Sequence, residues 1–143
     1  MNSDLIIFLE ESGFICSGPW HFKKNSSHEI AKKIEIVGYG WGYNDEENPK
    51  EYNIDVYSND GTSSEDSLII WIKICNFYCF DLKIKRIINY INEIITVSSI
   101  FNGCADFTDS NENPDSMIIS SYEGISIDLS EDEPKVMNSR PIK

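Results

Sequence analysis

The chain has 143 residues with 24 acidic and 12 basic side chains, so its net charge is −12. This length suits one domain with its own core, and the negative charge disfavours direct binding of DNA or RNA while it favours basic partners. No apolar run reaches the roughly 18 residues that cross a bilayer, and the N-terminus lacks a secretory signal. We therefore expect a cytoplasmic protein with reduced thiols that does not bind membranes.

The first half of the chain predicts a helix followed by strands. Residues 4–12 have an apolar side, a serine precedes them as a cap, and Gly13 can end the helix in a left-handed conformation. Residues 14–22 are ambiguous, because strand-forming residues adjoin a Ser-Gly-Pro turn signal. A strand is predicted over about residues 32–43, and a second over residues 51–57, where apolar and polar side chains alternate.

The second half is organised around one strand and one long helix. Residues 68–75 form an apolar, β-branched run that is typical of a strand buried on both faces. Asp81 can cap the following helix, in which six isoleucines recur at helical spacing up to about residue 97. A short strand is predicted somewhere within residues 98–107, and two more at residues 117–121 and 125–129. The charged, proline-containing residues 131–143 are predicted to be a mobile tail.

Together these elements predict an α+β fold with a single domain over residues 1–130. Its mainly antiparallel sheet should have about five to six strands, packed against an N-terminal helix and one long amphipathic helix at about residues 81–97. The chain has 23 isoleucines and only 5 leucines, and this bias supports a substantial sheet.

Residues 38–43 alternate glycine with aromatic side chains. They do not form a dinucleotide-binding loop, because Tyr43 stands where that motif needs its third glycine. Two interpretations stay open for Tyr39, Trp41 and Tyr43: a recognition stripe, or core aromatics beside glycines that let a helix or neighbouring backbone come close. The usual burial of aromatic stripes favours the core interpretation.

No metal, cofactor or catalytic motif is recognised in the sequence. The cysteines lack the spacing of a zinc site and an activating context for a nucleophile, so packing is favoured. Whether Cys16, Cys75, Cys79 and Cys104 have any role beyond packing stays open. Residues 109–115 begin like a calcium loop, but Pro114 stands at the glycine position and Ser120 at the final glutamate position. We predict no cofactor, no metal and no enzymatic activity.

Acidic side chains are concentrated in two segments. Residues 44–67 carry a net charge of −7, and residues 106–133 contain nine acids and no base. Such separation predicts a strongly negative face, which speeds encounter with a basic partner and orients it. The alternative, a solvated surface without a partner, stays open at this stage.

In its small size, its α+β character, its acidic loops and its lack of a catalytic motif, the chain resembles the bacterial immunity proteins that neutralise polymorphic or contact-dependent growth inhibition toxins. The resemblance covers the whole chain as size and charge pattern. It implies an antitoxin-like inhibitor that binds a basic toxin domain, often a nuclease, and occludes its active site or substrate groove with carboxylates in place of phosphates. The residues assigned to partner contact are Tyr43, Asp45, Glu46, Glu47, Glu51, Tyr57, Asp60, Glu65, Asp66, Asp106, Asp109, Glu112 and Asp115.

Two other functions stay open. One is a phosphate-mimicking inhibitor of another nucleic-acid enzyme, such as a phage-encoded antagonist of host defence. The other is a small enzyme that uses scattered carboxylates or Cys79.

Overall fold

The computed structural model describes residues 3–39, 49–58, 68–98, 105–109, 115–121 and 124–138. The helices in these ranges are α1 (Ser3–Glu11), α2 (Phe80–Asn89) and α3 (Ile91–Ser98). The strands are β1 (Ile15–Gly18), β2 (His21–Asn25), β3 (Lys33–Tyr39), β4 (Glu51–Tyr57), β5 (Leu68–Ile74), β6 (Ala105–Asp109), β7 (Ile118–Ser121), β8 (Ile125–Asp128) and β9 (Lys135–Asn138). The α+β class is therefore confirmed.

All nine strands form one open sheet, and their spatial order is their order along the chain. Every neighbouring pair is antiparallel except β5 and β6, which are parallel. Helices α2 and α3 lie in the connection between these two strands, because a parallel pair needs a long crossover. The sheet thus consists of two antiparallel meanders joined by a helical crossover.

The helices cover one face of this sheet and form the core with it. Because side chains alternate along a strand, every second residue of the central strands enters one buried cluster with Leu5 and Leu9 of α1 and the isoleucines of α2 and α3. No described helix covers the other face. We call this other surface, on β2 to β6, the open face; it carries His21, Lys23, Lys33, Glu35, Val37, Tyr39, Glu51, Asn53, Asp55, Tyr57, Trp71, Lys73, Asp106 and Thr108.

The predicted strand number, about five to six, was too low. The ambiguous residues 14–22 contribute β1 and the start of β2, and β9 lies within the segment predicted as a mobile tail. Three of the four residues of β1 are exposed, and Val136 and Met137 of β9 are exposed as well. Edge strands like these carry no clear hydrophobic alternation, so periodicity did not reveal them.

The prediction of one long amphipathic helix at residues 81–97 was also wrong, because Tyr90 separates α2 from α3. Tyr90 has φ −112° and ψ 15°, and its N–H bonds to the carbonyl oxygens of Arg86 at 3.1 Å and Ile87 at 3.2 Å. No proline or glycine marks the break, and Ile91 and Ile94 stay buried beyond it. The isoleucine spacing therefore continues through the break, and periodicity could not detect it.

The start of α2 and the burial of β5 also differ from expectation. Cys79, not Asp81, is the residue before the first helical turn; its φ is +49°, and it makes no side-chain capping bond. Strand β5 buries Ile70, Ile72 and Ile74 but only half-buries Trp71 and its other open-face residues. One face of β5 is therefore core and the other belongs to the open face.

None of the helices within the described ranges is long and apolar enough to cross a membrane.

Gly38 of β3 occupies a crowded position on the core side of the sheet. A methyl group there would lie 2.8 Å from Trp20 Cβ, 2.9 Å from Pro49 Cγ and 2.9 Å from Tyr52 Cε1. Glycine thus permits a close approach, but side chains make it, and not the helix or backbone that was predicted.

We expect Gly38→Ala to lower the free energy of unfolding by about 1–2 kcal/mol, because three neighbours must shift to admit the methyl group. Urea denaturation measures this change. Gly18→Ala is the matched control, since its methyl group would meet only His21 Cβ, at 3.7 Å. An equal loss in both variants would contradict the crowding explanation.

Candidate functional site

The open face brings together charged and aromatic side chains from five strands. The register places Lys23, Glu35, Asp55, Trp71 and Asp106 side by side on β2, β3, β4, β5 and β6. Residues opposite each other in neighbouring strands are close enough to interact directly. The row therefore forms a continuous polar and aromatic strip across the middle of the sheet.

Asp55 lies at the centre of this strip and is the most unusual residue of the open face. It is only 8% exposed. Its Oδ2 atom accepts a weak hydrogen bond from the Tyr57 hydroxyl at 3.5 Å, whereas its Oδ1 atom is buried without any hydrogen-bond partner. Burial raises the pKa of Asp55 to about 6, the Glu35 carboxylate adds to this shift, and the Tyr57 hydrogen bond opposes it.

Three basic side chains of the open face contact groups other than Asp55. Lys33 Nζ lies 3.5 Å from Glu35 Oε1 and 4.4 Å from the centre of the Tyr57 ring. His21 Nε2 lies 3.5 Å from the other Glu35 oxygen. Lys73 Nζ lies 4.7 Å from the centre of the Trp71 ring. Asp55 therefore forms no ion pair with any of these three side chains.

The side-chain amide of Asn53, also on the open face, links Glu51 to Trp71. With the Asn53 amide oriented to suit its neighbours, its nitrogen donates to Glu51 Oε2 at 2.9 Å and its oxygen accepts from Trp71 Nε1 at 3.0 Å. These bonds fix the indole of Trp71 beside Asp55 on the neighbouring strand.

The negative charges of nearby carboxylates also act on the hydroxyl of Tyr39. Partial burial raises the pKa of its hydroxyl, and the negative charges of Asp55, Glu35 and Glu51 raise it further. Its side chain is 43% exposed, so a core role is not observed for Tyr39, while Trp41 and Tyr43 lie outside the described residues. We call Glu35, Tyr39, Glu51 and Asp55 the acidic cluster.

The residues predicted to contact a partner fall in different places. Glu51, Tyr57 and Asp106 lie on the open face, and Asp115 is exposed just before β7. Asp109 is buried on the core face instead. The remaining predicted residues lie outside the described part of the chain: Tyr43, Asp45, Glu46, Glu47, Asp60, Glu65, Asp66 and Glu112.

Sequence reasoning missed the centre of the open face. It identified the alternation of residues 51–57 but assigned no role to Asp55, and it did not single out Glu35 or Trp71. The available signal was an acid in the middle of an alternating strand. Its significance depends on the register that places Glu35 and Trp71 beside it, and that register cannot be read from the spacing of residues.

A second ionic pair, Lys83 and Asp109, lies on the core side of the sheet. Lys83 Nζ is 3.7 Å from Asp109 Oδ1, and both side chains are only 1% exposed. Lys83 also donates to the carbonyl oxygen of Asn76 at 3.0 Å, and the N–H of Asn76 donates to Asp109 Oδ2 at 3.0 Å. Burial lowers the pKa of Lys83 and raises that of Asp109, while their mutual attraction opposes both shifts. The pair ties α2 to the ends of β5 and β6 and has a structural role.

A polar cleft of about 390 Å³ opens on the helix side, between the β2–β3 connection and the junction of α2 with α3. His28 Nδ1 accepts hydrogen bonds from the N–H groups of Ile30 at 3.0 Å and Ala31 at 3.3 Å. The cleft is lined by Lys24, Asn25, Ser26, Ser27, His28, Ile34, Ile88, Asn89, Ile91 and Asn92. It lies on the covered side of the sheet and is separate from the open face.

The described thiols are free, with Cys16 and Cys79 exposed and Cys75 half-buried. Burial raises the pKa of Cys75, so this thiol is not activated. Within the described residues, no group of three or more histidine, cysteine or acidic side chains could hold a metal ion.

No protein-family model, curated protein or solved structure matches this chain. The fold class therefore rests on the structure alone: the described residues form an α+β protein with an open nine-stranded sheet, covered by helices on one face. Its function has to be inferred from the open face.

Proposed function

We propose that this protein is an acidic inhibitor of the immunity type, which binds a basic toxin domain in the cytoplasm through the open face of its sheet. One observation carries the proposal: on a sheet face that no described helix covers, the nearly buried Asp55 has one carboxylate oxygen without a hydrogen-bond partner and lies among partly exposed aromatic side chains. Buried acceptors without partners are rare in folded proteins and call for an explanation. A donor supplied by another protein is such an explanation.

The chemistry of the open face suits a protein partner. Tyr39, Tyr57 and Trp71 are of the residue types that most often carry binding energy at interfaces. They surround carboxylates, so the surface combines apolar contact area with negative charge.

The net charge of −12 favours a basic partner, because opposite charges accelerate encounter and orient the two proteins. A nuclease that binds phosphates has such a basic groove. Carboxylates from Glu51, Asp55 and Asp106 would occupy positions that phosphates otherwise take, and the bound sheet would block the groove.

The binding test uses the purified product of the neighbouring gene, because an immunity gene lies beside its toxin gene. Isothermal titration calorimetry should give one-to-one binding with a Kd on the order of nanomolar or tighter, and the bound protein should suppress the toxic activity. A neighbouring product that neither binds nor is inhibited would refute the proposal.

Charge reversal on the open face should slow this association. We expect Glu51→Lys/Asp106→Lys to reduce the association rate constant by about 10-fold at low salt, and less as salt is added. Stopped-flow fluorescence of Trp71 and the other indoles measures the rate. The matched control is Glu10→Lys/Glu11→Lys, which changes the net charge equally at exposed positions of α1. Equal slowing in both variants would reject the open face as the binding surface.

A second candidate, a small hydrolase, is favoured by one observation: Asp55, the register neighbour of Glu35, has a raised pKa, and a carboxyl group with a raised pKa can serve as a general acid. Turnover of a glycoside or ester substrate that disappears in Asp55→Asn, with folding intact, would support the hydrolase over the inhibitor.

A further inference from the structure

We propose that the acidic cluster receives one arginine side chain of the bound partner, with the guanidinium group against the carboxylate of Asp55. This inference rests on the proposed function and identifies the chemical group of the partner that contacts the centre of the open face.

The first reason is the unused hydrogen-bonding capacity of Asp55. Its Oδ1 atom has no donor, and its Oδ2 atom has only the 3.5 Å contact with the Tyr57 hydroxyl. A guanidinium group can donate two parallel hydrogen bonds to one carboxylate. Because Oδ1 is shielded in the free protein, side chains of the open face must rotate to admit the donor, and such changes are common at interfaces.

The second reason is that no basic side chain in the described part of the chain forms an ion pair with this carboxylate. Lys33 and His21 contact Glu35, and Lys73 lies over Trp71. Two other charged groups of the open face, Glu51 on the same strand and Asp106 on β6, are acids, and Lys23 is the register neighbour of Glu35, one strand further from Asp55. A cation supplied by the partner would balance the charge of Asp55.

The third reason is the aromatic surroundings. The chain already places its own lysines over the rings of Tyr57 and Trp71, at 4.4 Å and 4.7 Å. Arginine combines stacking on such rings with paired hydrogen bonds to a carboxylate, and it is less strongly hydrated than lysine. A nearly buried carboxylate beside aromatic rings thus favours arginine over lysine.

An NMR titration of the Asp55 side-chain carboxyl carbon tests the contact without the partner. Arginine amide should lower the pKa of Asp55 by about 1 pH unit at saturation, because a neighbouring cation favours the charged carboxylate. Lysine amide and sodium chloride at equal ionic strength should lower it less. Equal shifts with all three solutes would overturn the inference and show only general screening.

The Trp71 indole N–H signal gives a second readout. Arginine amide should shift it in the wild-type protein and in Asp128→Asn, which changes an aspartate on β8, but not in Asp55→Asn. A shift that persists in Asp55→Asn would place the arginine elsewhere and overturn the inference.

The neighbouring toxin domain separates the two proposals. Asp55→Asn should weaken its binding by at least about 30-fold, the cost of removing one partner of a buried charged contact. Tight binding that is unchanged in Asp55→Asn would overturn the arginine site and leave the inhibitor function intact. An arginine-specific pKa shift without any binding of the toxin domain would support the site and refute the inhibitor function.

Discussion

Replacement of Lys83 by methionine should lower the free energy of unfolding by about 3–5 kcal/mol. The change leaves Asp109 as a buried charge without its cation, and the loss of one member of a buried ion pair has this magnitude. Lys83 is fully buried and also donates to the Asn76 carbonyl oxygen at 3.0 Å, so the variant loses a hydrogen bond as well. Urea denaturation followed by circular dichroism measures the change.

Two further variants test the reason for this loss. Lys83→Met/Asp109→Asn should recover much of it, because no buried charge remains. Lys85→Met, on the same helix but only half-buried, should cost far less. If the double variant were no more stable than Lys83→Met alone, the loss would come from packing and not from the stranded carboxylate.

The pH dependence of Lys83→Met follows from the same carboxylate. Burial already raises the pKa of Asp109, and Lys83 opposes that rise, so removal of Lys83 should raise the pKa further. A group with a raised pKa in the folded state stabilises folding at low pH and loses this contribution as the pH rises. The deficit of Lys83→Met should therefore be smaller in acid than at neutral pH.

Local signals in the sequence predicted several elements well. The N-terminal helix was predicted from its apolar side and from Gly13, which indeed has φ +95°, and strand β4 has the predicted bounds Glu51–Tyr57. Both signals lie within one segment of chain. An alternating strand or a glycine-ended helix is readable because neighbouring residues alone encode it.

Features that depend on distant residues were not readable. Lys83 is not one of the isoleucines whose spacing predicted the apolar side of this helix, yet it is fully buried. Asp109, which lies far along the chain, and the Asn76 carbonyl, which precedes the helix, contact its ammonium group. The break at Tyr90 is likewise not marked by a proline or a glycine in the sequence. Charge counting along the chain also grouped Asp109 with exposed acids, although it belongs to the core.

The same limit explains why the candidate site was predicted only in part. Glu51, Tyr57 and Asp106 were identified because acidic runs and aromatic residues are visible in the sequence. Glu35, Asp55 and Trp71 come from three strands, and only their register brings them together. The burial that raises the pKa of Asp55 is a property of the assembled sheet.

Replacement of Asp55 by asparagine should stabilise the protein at neutral and alkaline pH by about 1–3 kcal/mol. The pKa of Asp55 is about 6 in the folded protein and 3.8 ordinarily, so the folded state binds this proton more tightly than the unfolded state does. The contribution of Asp55 to stability is then greatest in acid and declines as the pH rises from about 4 to about 6. Asparagine keeps the shape and removes the charge, so this decline should disappear.

Urea denaturation at a series of pH values isolates this contribution. At each pH, the free energy of unfolding of the wild-type protein is subtracted from that of Asp55→Asn. The difference should grow between pH 4 and pH 7 and then stay constant. Asp128→Asn is the control of opposite sign, because the hydrogen bond from Ser130 lowers the pKa of Asp128; its removal should destabilise the protein above the ordinary pKa of aspartate. A flat difference curve for Asp55→Asn would mean that Asp55 is already satisfied in the free protein. A rising curve together with weaker partner binding would mean that the chain retains a destabilising carboxylate for recognition, a trade-off typical of binding sites.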